Sequence, residues 1–246
     1  MSNPYRILGL VLCLAGAALT PLFYFVVGSQ SLTAVSISAI MLGFTSLAIS
    51  NARPYVSPEA CQMLLATGTE NIAALIEELG LRNRAVYLPS SLQGGFTRAI
   101  IPLVEGDISS DLQHKLPGRL IVRYGKNSDS VAIAVTTPGS VCVKMLDTKP
   151  GPTAPDIESA LTYVLTGMLD IADSVSVKEA GSNIEVEVRA VRMQDDNVWY
   201  YQCIGSPVAS IAAAITSEAL GKPVQIKEEN SSKKDKRQRI VLEVLD

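Results

Sequence analysis

Two long apolar stretches follow each other at the start of the chain. They cover residues 7–27 and 32–49, contain no charged residue, and are separated only by the four residues 28–31. A helix rises about 1.5 Å per residue, so the first stretch, residues 7–27, spans about 31 Å as a helix. This is the thickness of the hydrocarbon core of a bilayer. The pattern therefore predicts a hairpin of two membrane-spanning helices within residues 1–53.

A cleaved signal peptide is the alternative interpretation of the first stretch, with Arg6 as its charged region. The apolar region of a signal peptide has only ~7–15 residues. Here the first stretch is longer, and a second one follows at once. A hairpin of two spanning helices accounts for both observations.

Small residues lie on one face of the second predicted helix. Ala39, Gly43 and Ser46 are spaced by three to four residues, which places them on the same side and allows a close approach of the first helix. Small residues are also common in such helices without forming a packing face, and both interpretations stay open. Pro21 predicts a kink in the first helix.

The charges that flank the hairpin predict its orientation. A four-residue turn places both ends of the hairpin on the same side of the membrane. Arg6 precedes the first stretch and Arg53 follows the second, whereas the turn has no charge. The positive-inside rule then predicts a multi-pass protein of the cell membrane with both termini in the cytoplasm.

After residue 53 the pattern becomes that of a soluble domain. Its first part covers residues 56–147. Ser57, Pro58 and Glu59 are typical of a helix start, and Gly80 is a candidate cap at the end of this helix. Short runs rich in β-branched residues follow, bounded by Gly, Pro, Ser and Asn. They predict strands over residues 85–88, 98–104, 120–124, 131–136 and 141–146.

A proline-rich segment, residues 148–155, precedes a second part over residues 156–246. Apolar residues at helical spacing predict helices over residues 156–173 and 207–220. In one strand Ile184, Val186 and Val188 alternate with charged residues, which is typical of a sheet with one buried face. The predicted strands of this part are residues 175–178, 184–191, 198–202, 224–227 and 239–245.

The order of these elements predicts an α+β fold, with helices packed on one face of a mainly antiparallel sheet. The two parts each run from helix to strands. The sequence leaves open whether they form one sheet or two domains.

Composition and charge limit the classes of function. The formal net charge of −3 does not fit a nucleic-acid-binding protein, which has a basic surface. The four cysteines are far apart, and one of them, Cys13, lies in an apolar stretch. No pair has the spacing of metal ligands, and nothing in the pattern indicates a disulfide framework, so the cysteines favour a reducing compartment.

Few residues are candidates for catalysis or metal binding. His114 is the only histidine, and its polar surroundings favour a solvated loop residue over a catalytic base. The pairs Asp170/Asp173 and Asp195/Asp196 favour solvated acids over a cation site or half of an acid/base pair. The residues 93–96, with two glycines, favour a turn over a phosphate-binding loop. We therefore predict no catalytic residue, no metal and no cofactor.

One basic cluster near the C-terminus is a candidate for contact with anionic lipid. A polybasic segment gains about 1 kcal/mol per charge at an anionic surface. A solvated hairpin loop is the alternative interpretation, and Asp235 and the preceding acids weaken the cluster. The basic residues of the cluster are Lys233, Lys234, Lys236 and Arg237.

The C-terminal region, about residues 201–245, carries a known pattern. Tyr201-Gln202-Cys203 is followed by an Ala-rich helix ending in Glu-Ala-Leu-Gly, a strand with acids, and a last strand. This region resembles the vinyl reductase-type (V-four-R) ligand-binding domain, a family related to the Bet-three component of vesicle-tethering complexes. Cysteines common in that family are replaced here by Asn230 and Gln238, and only Cys203 matches.

The resemblance implies a small α/β domain with an apolar pocket for a small molecule or an acyl chain. The overall layout also resembles uncharacterised archaeal membrane proteins with two helices, which implies no activity.

Two functions remain, and an enzyme is not expected. The first is a membrane-anchored sensor or binding module that takes a small apolar ligand or a protein partner. The second is a structural subunit of a membrane complex, including an assembly of several copies of this chain. Candidate pocket or interface residues are Cys203, Trp199 and Tyr201.

Overall fold

The computed structural model of the protein describes residues 4–52, 58–104, 116–125, 130–193, 199–232 and 235–245. The chain divides into two compact units, Met1–Gly68 and Thr69–Asp246. Each unit is described by itself below.

The first unit contains a helical hairpin. Helix α1 covers Pro4–Pro21 and continues as a π-helical segment over Leu22–Val27, and helix α2 covers Gln30–Ala52. The change to the wider π-helical turn falls at Pro21, which has no N–H for the regular ladder. Gly28 ends the segment in the left-handed conformation, with φ of 65°.

Glycines bring the two helices of the hairpin together. A Cβ atom at Gly43 would lie 2.9 Å from the carbonyl oxygen of Gly9, and one at Gly16 would lie 2.8 Å from that of Ser36. The Thr20 hydroxyl donates a hydrogen bond to Ser36 Oγ at 2.9 Å. These close contacts require small residues on both helices.

The predicted packing residues of α2 lie as follows. Gly43 is in contact with α1, and the buried Ser46 hydroxyl donates to the carbonyl oxygen of Tyr5 at 3.1 Å. Ala39 is half-buried. The two hydroxyl bonds and the glycine contacts are therefore distributed along the length of the hairpin.

Three helical segments of the described chain are long and apolar enough to cross a membrane. Tyr5–Val27 and Gln30–Ser50 are only 6% and 17% buried, so most of their apolar side chains face outward. The third, Tyr201–Leu220, is 89% buried inside the protein and is interrupted at Gly205. The hairpin therefore supplies the candidate spans, whereas the third segment is a core element.

Replacing Gly43 with leucine tests the hairpin packing. The new Cβ would lie 2.5 Å from Cys13 Sγ and 2.9 Å from Cys13 N, so α1 and α2 have to separate. We expect Gly43→Leu to lengthen the distance between spin labels on exposed positions of the two helices, measured by double electron–electron resonance in micelles. The control Ala34→Leu, at an exposed position of α2, should leave the distance unchanged. A wild-type distance in Gly43→Leu would contradict this packing.

The second unit is built on one eight-stranded antiparallel sheet with the strand order β3-β4-β2-β1-β7-β8-β6-β5. Strands from both sides of residues 148–155 join in this sheet, because β1 pairs with β7. The predicted α+β class with an antiparallel sheet is confirmed. The strands are β1 Val86–Leu88, β2 Arg98–Pro102, β3 Ile121–Tyr124, β4 Ser130–Val135, β5 Ser174–Ala180, β6 Asn183–Arg189, β7 Val224–Ser232 and β8 Arg237–Val244.

Helix α3, Pro58–Glu78, begins in the first unit and ends in the second. Its predicted cap residue Ser57 lies outside the described residues. At the other end Gly80 has φ of 65°, and its N–H donates to Glu77 O while that of Leu81 donates to Ile76 O. These two bonds are the glycine cap that the sequence predicted.

Helix α7, Pro207–Leu220, has the boundaries predicted from the sequence and is the most deeply placed helix of this unit. The Ser206 side chain caps its first turn, and Gly221 ends it in the left-handed conformation. All of its residues from Val208 to Ala219 are buried. It packs against the sheet and against α4, Pro138–Met145, and α5, Ala154–Thr162.

The two faces of the sheet differ. One face packs on the helices through residues such as Tyr87, Ile184 and Leu242. On the opposite face the half formed by β1 to β4 carries a second apolar cluster that includes Ile100 and Leu116. The other half of that face carries charged side chains, as the alternation in β6 predicted.

Two predicted strands are wrong. Residues 141–146, expected to be a strand, lie mainly in α4, because Thr137 and Ser140 form a capping box and Pro138 occupies the first turn. The strand expected over 198–202 is also wrong in its described residues. There the chain makes a turn and then the short helix α6, Tyr201–Ile204.

The helix expected over residues 156–173 begins and ends earlier than predicted. It is α5 followed by a π-helical segment over Tyr163–Met168.

Candidate functional site

A polar cleft of about 260 Å³ opens in the second unit. Three parts of the chain form it: the loop between β1 and β2, the end of α4 with the loop that follows, and the C-terminal end of α7. The lining residues are Ser90, Gly95, Thr97, Val143, Lys144, Leu146, Thr148, Lys149, Pro150 and Glu218.

Glu218 is the acid of the cleft and is only 7% exposed. Its Oε2 accepts hydrogen bonds from Ser90 N at 2.7 Å and from Thr97 Oγ1 at 3.1 Å. Its Oε1 accepts one from Ser90 Oγ at 2.7 Å. Three neutral donors therefore hold the carboxylate in place and compensate for part of its desolvation.

The loop that supplies these donors depends on glycine. After a short 3₁₀ helix over Ser90–Leu92, the chain turns through Gly94 and Gly95, whose φ angles are 68° and 106°. The N–H of Gly95 donates to Ser90 O at 3.0 Å, which closes the turn. Residues 93–96 thus form a turn, as expected, and Gly95 also lines the cleft.

Two lysines provide the positive charge of the cleft. Lys144 lies at the end of α4, with its Nζ 4.2 Å from the centre of the Phe96 ring. Lys149 lies in the loop after α4. Within the described residues neither lysine forms an ion pair. Both residues are exposed, and a lysine ammonium group is able to bind an anion.

A second polar network lies at the other end of α7. Glu229 accepts from Ser206 N at 3.1 Å and from Gln238 Nε2 at 2.6 Å. Gln238 is 1% exposed and also donates to Ser206 Oγ at 2.7 Å. The network satisfies the buried start of α7, which is a structural role.

The predicted pocket or interface residues lie outside the lining of the cleft. Cys203 is buried in the core, with its Sγ 3.7 Å from Leu81 O. Trp199 is 38% exposed, and Tyr201 is half-buried with its ring 4.8 Å from that of Tyr200. Their part in ligand or partner binding stays a prediction.

Burial keeps several reactive groups of the core neutral. It raises the pKa of the Cys142 and Cys203 thiols. It also raises the pKa of Tyr87, whose hydroxyl donates a hydrogen bond to the Ile204 carbonyl. A thiol or phenol with a raised pKa is a poor nucleophile at neutral pH.

Within the residues that the structure describes, no group of three or more His, Cys, Asp or Glu could hold a metal ion. Asp170 and Asp173 both form ion pairs with Arg192. His114, Asp195 and Asp196 lie outside the described residues.

Half of the basic cluster is described. Lys236 and Arg237 are exposed at the turn between β7 and β8. Lys233 and Lys234 lie outside the described residues. Lipid contact by this cluster stays a prediction.

Sequence reasoning missed the residues of the cleft. Lys144 and Lys149 are distant in sequence from Ser90 and Glu218, and only the packing of α4 against α7 brings them together. The sequence contains one signal for the cleft: Glu218 is the single charged residue in the otherwise apolar and hydroxyl-rich helix α7. A lone acid inside such a helix is a candidate for a buried, hydrogen-bonded role.

The second unit is thus an α+β domain with a polar cleft, in one chain with an apolar helical hairpin. The chain belongs to the family of the domain of unknown function DUF7982, whose family model matches residues 5–243. No curated protein and no solved structure matches the chain. The resemblances to the vinyl reductase-type domain and to archaeal two-helix proteins therefore stay predictions.

Replacing Glu218 with alanine tests the organisation of the cleft. The change leaves Ser90 N and the Thr97 hydroxyl without their acceptor, and an unsatisfied buried donor costs about 1–3 kcal/mol. We expect a loss of this order in the free energy of unfolding of the full chain in micelles, measured with urea. Hydrogen exchange of residues 90–97 should become faster.

The matched control is Glu179→Ala, which removes an exposed carboxylate from the edge strand β5. It should change neither quantity. Equal stability and equal exchange in Glu218→Ala and the wild type would show that the carboxylate does not hold the loop.

Proposed function

We propose that this protein is a membrane-anchored binding module whose soluble α+β unit takes a small ligand in the polar cleft. The observation that carries the proposal is the convergence of Lys144, Lys149 and the buried Glu218 on one cavity of about 260 Å³. Convergent charged groups in a concave site are typical of ligand-binding sites.

The lining supports a polar ligand more than the apolar one expected from the sequence. Six of the lining residues carry charged or hydroxyl side chains: Ser90, Thr97, Lys144, Thr148, Lys149 and Glu218. An acyl chain would leave these groups desolvated without partners, which is unfavourable. A small polar molecule would satisfy them.

The hairpin supports the membrane anchor. Its helices have outward apolar side chains such as Leu14 and Phe25, which are 68% and 80% exposed. Exposure of this extent to water would be unfavourable, whereas lipid would cover it. Arg6 and Arg53 on its flanks support the orientation in which both termini are cytoplasmic.

A structural subunit is the second candidate function. The edge strand β3 favours it, because Ile121 is 61% exposed there and Leu120 just before it is 52% exposed. An apolar edge strand is suited to pairing with another chain, including a second copy of this one.

Membrane anchoring is tested by extraction and protease protection. The full chain should remain with the membrane fraction in alkaline carbonate, and a variant that lacks residues 1–52 should not. Protease added outside intact cells should leave the second unit undigested if both termini are cytoplasmic. Release of the full chain by carbonate would overturn the anchor, and digestion from outside would overturn the orientation.

Occupancy of the cleft is tested by filling it. Thr148 is exposed, lines the cleft and takes no part in the hydrogen bonds of Glu218. We expect native mass spectrometry of the full chain, purified in a mild detergent from its host, to show a retained small molecule that Thr148→Trp loses. The control Ser231→Trp, on an exposed position of β7, should retain it. A wild type without adduct, or an adduct that survives Thr148→Trp, contradicts the proposal.

A further inference from the structure

The charges of the cleft are separated into two parts. Lys144 and Lys149 line it together with Glu218, yet neither lysine forms an ion pair with this carboxylate. Unlike charges that share a cavity without pairing leave space between them. A ligand in the cleft can therefore contact cationic groups and an anionic group at the same time.

The acid part of the cleft accepts hydrogen bonds. A carboxylate has about four acceptor positions, and Glu218 uses two on Oε2 and one on Oε1. One position on Oε1 remains. The Ser90 and Thr97 hydroxyls donate to Glu218, so their own lone pairs also remain for a donor. This part of the cleft therefore selects a ligand group that carries hydrogens, and the negative charge favours an ammonium group.

The lysine part of the cleft is suited to an anion. Each ammonium group has three donors and no acceptor. The Phe96 ring supports Lys144 at 4.2 Å, which limits the positions of its ammonium group. Lysine binds phosphate and carboxylate as a point charge, so both anions fit this part.

We infer that the cleft binds a small zwitterionic molecule, with a phosphate or carboxylate group at Lys144 and Lys149 and an ammonium group at Glu218. The inference rests on the proposed binding function of the cleft. The volume of about 260 Å³ lies below the ~300–1,000 Å³ of sites for drug-sized ligands. The ligand is accordingly about the size of an amino acid or a phosphorylated amino alcohol.

Isothermal titration of the full chain in micelles tests this inference. Phosphoethanolamine and β-alanine are the probes with both groups, ethyl phosphate and propionate carry the anion alone, and ethylamine carries the ammonium alone. We expect a zwitterionic probe to bind about tenfold or more tightly than the matching anion, which corresponds to one charge-assisted hydrogen bond. Ethylamine should show no binding.

Variants assign the two groups of the probe. Lys144→Ala and Lys149→Ala should each weaken the zwitterionic probe and the anion by about tenfold. Glu218→Gln should weaken the zwitterionic probe, because it removes the negative charge that the ammonium group needs, but it should not weaken the anion, which that charge repels. Loss of folding cannot produce this pattern. The control Lys178→Ala, an exposed lysine of β5, should change nothing.

The source of a phosphate ligand is resolved by one further probe, glycerophosphoethanolamine. If it binds as well as phosphoethanolamine, a lipid headgroup is supported as the source. If only phosphoethanolamine binds, a free metabolite is supported. Both results agree with a zwitterionic ligand.

The inference is overturned if no zwitterionic probe binds, if the anion alone binds equally well, or if the lysine variants bind like the wild type. These results are distinct from a failure of the proposed function. The proposed function fails if native mass spectrometry finds no small molecule on the wild type, or finds one that Thr148→Trp also retains. A retained molecule without an anionic group would leave the binding function standing and overturn this inference.

Discussion

The burial of α7 is the constraint on which the second unit depends. The helix is enclosed between the sheet and the helices α4 and α5. Its approach to α4 is so close that a Cβ at Gly139 would collide with the carbonyl oxygen of Ser210. Alanine-rich sequence makes this approach possible, because small side chains let backbones pack together. The position of α7 therefore fixes the positions of its two ends.

The two ends of α7 carry the two polar networks of the unit. At its start, Ser206, Glu229 and Gln238 satisfy one another in the interior. Near its end, Glu218 is held by neutral donors. Two lysines line the same cavity and form no ion pair with any other residue that the structure describes. A closed network of the first kind stabilises the fold, whereas an open one of the second kind is suited to a ligand. This difference is why the cleft, and not the first network, is the candidate site.

The sequence predicted the elements whose signals are local. The boundaries of α7 and the cap at Gly80 follow from the Ser-Pro start and the glycine end, and the structure confirms both. Residues 141–146 have the alternating valines typical of a strand, but the helix start at Thr137 and Pro138 determines their conformation. The cleft was beyond sequence reasoning, since its charged residues come from distant segments and meet only through tertiary packing.

The strand order has a consequence for the synthesis of the chain. Strand β1 is made early, yet one of its two edges is completed only by β7 near the C-terminus. Until β7 has left the ribosome, the short Val86–Leu88 edge keeps unpaired N–H and C=O groups. A nascent or truncated chain that ends before Val224 therefore lacks a finished centre of the sheet, because β1 has no partner on that side.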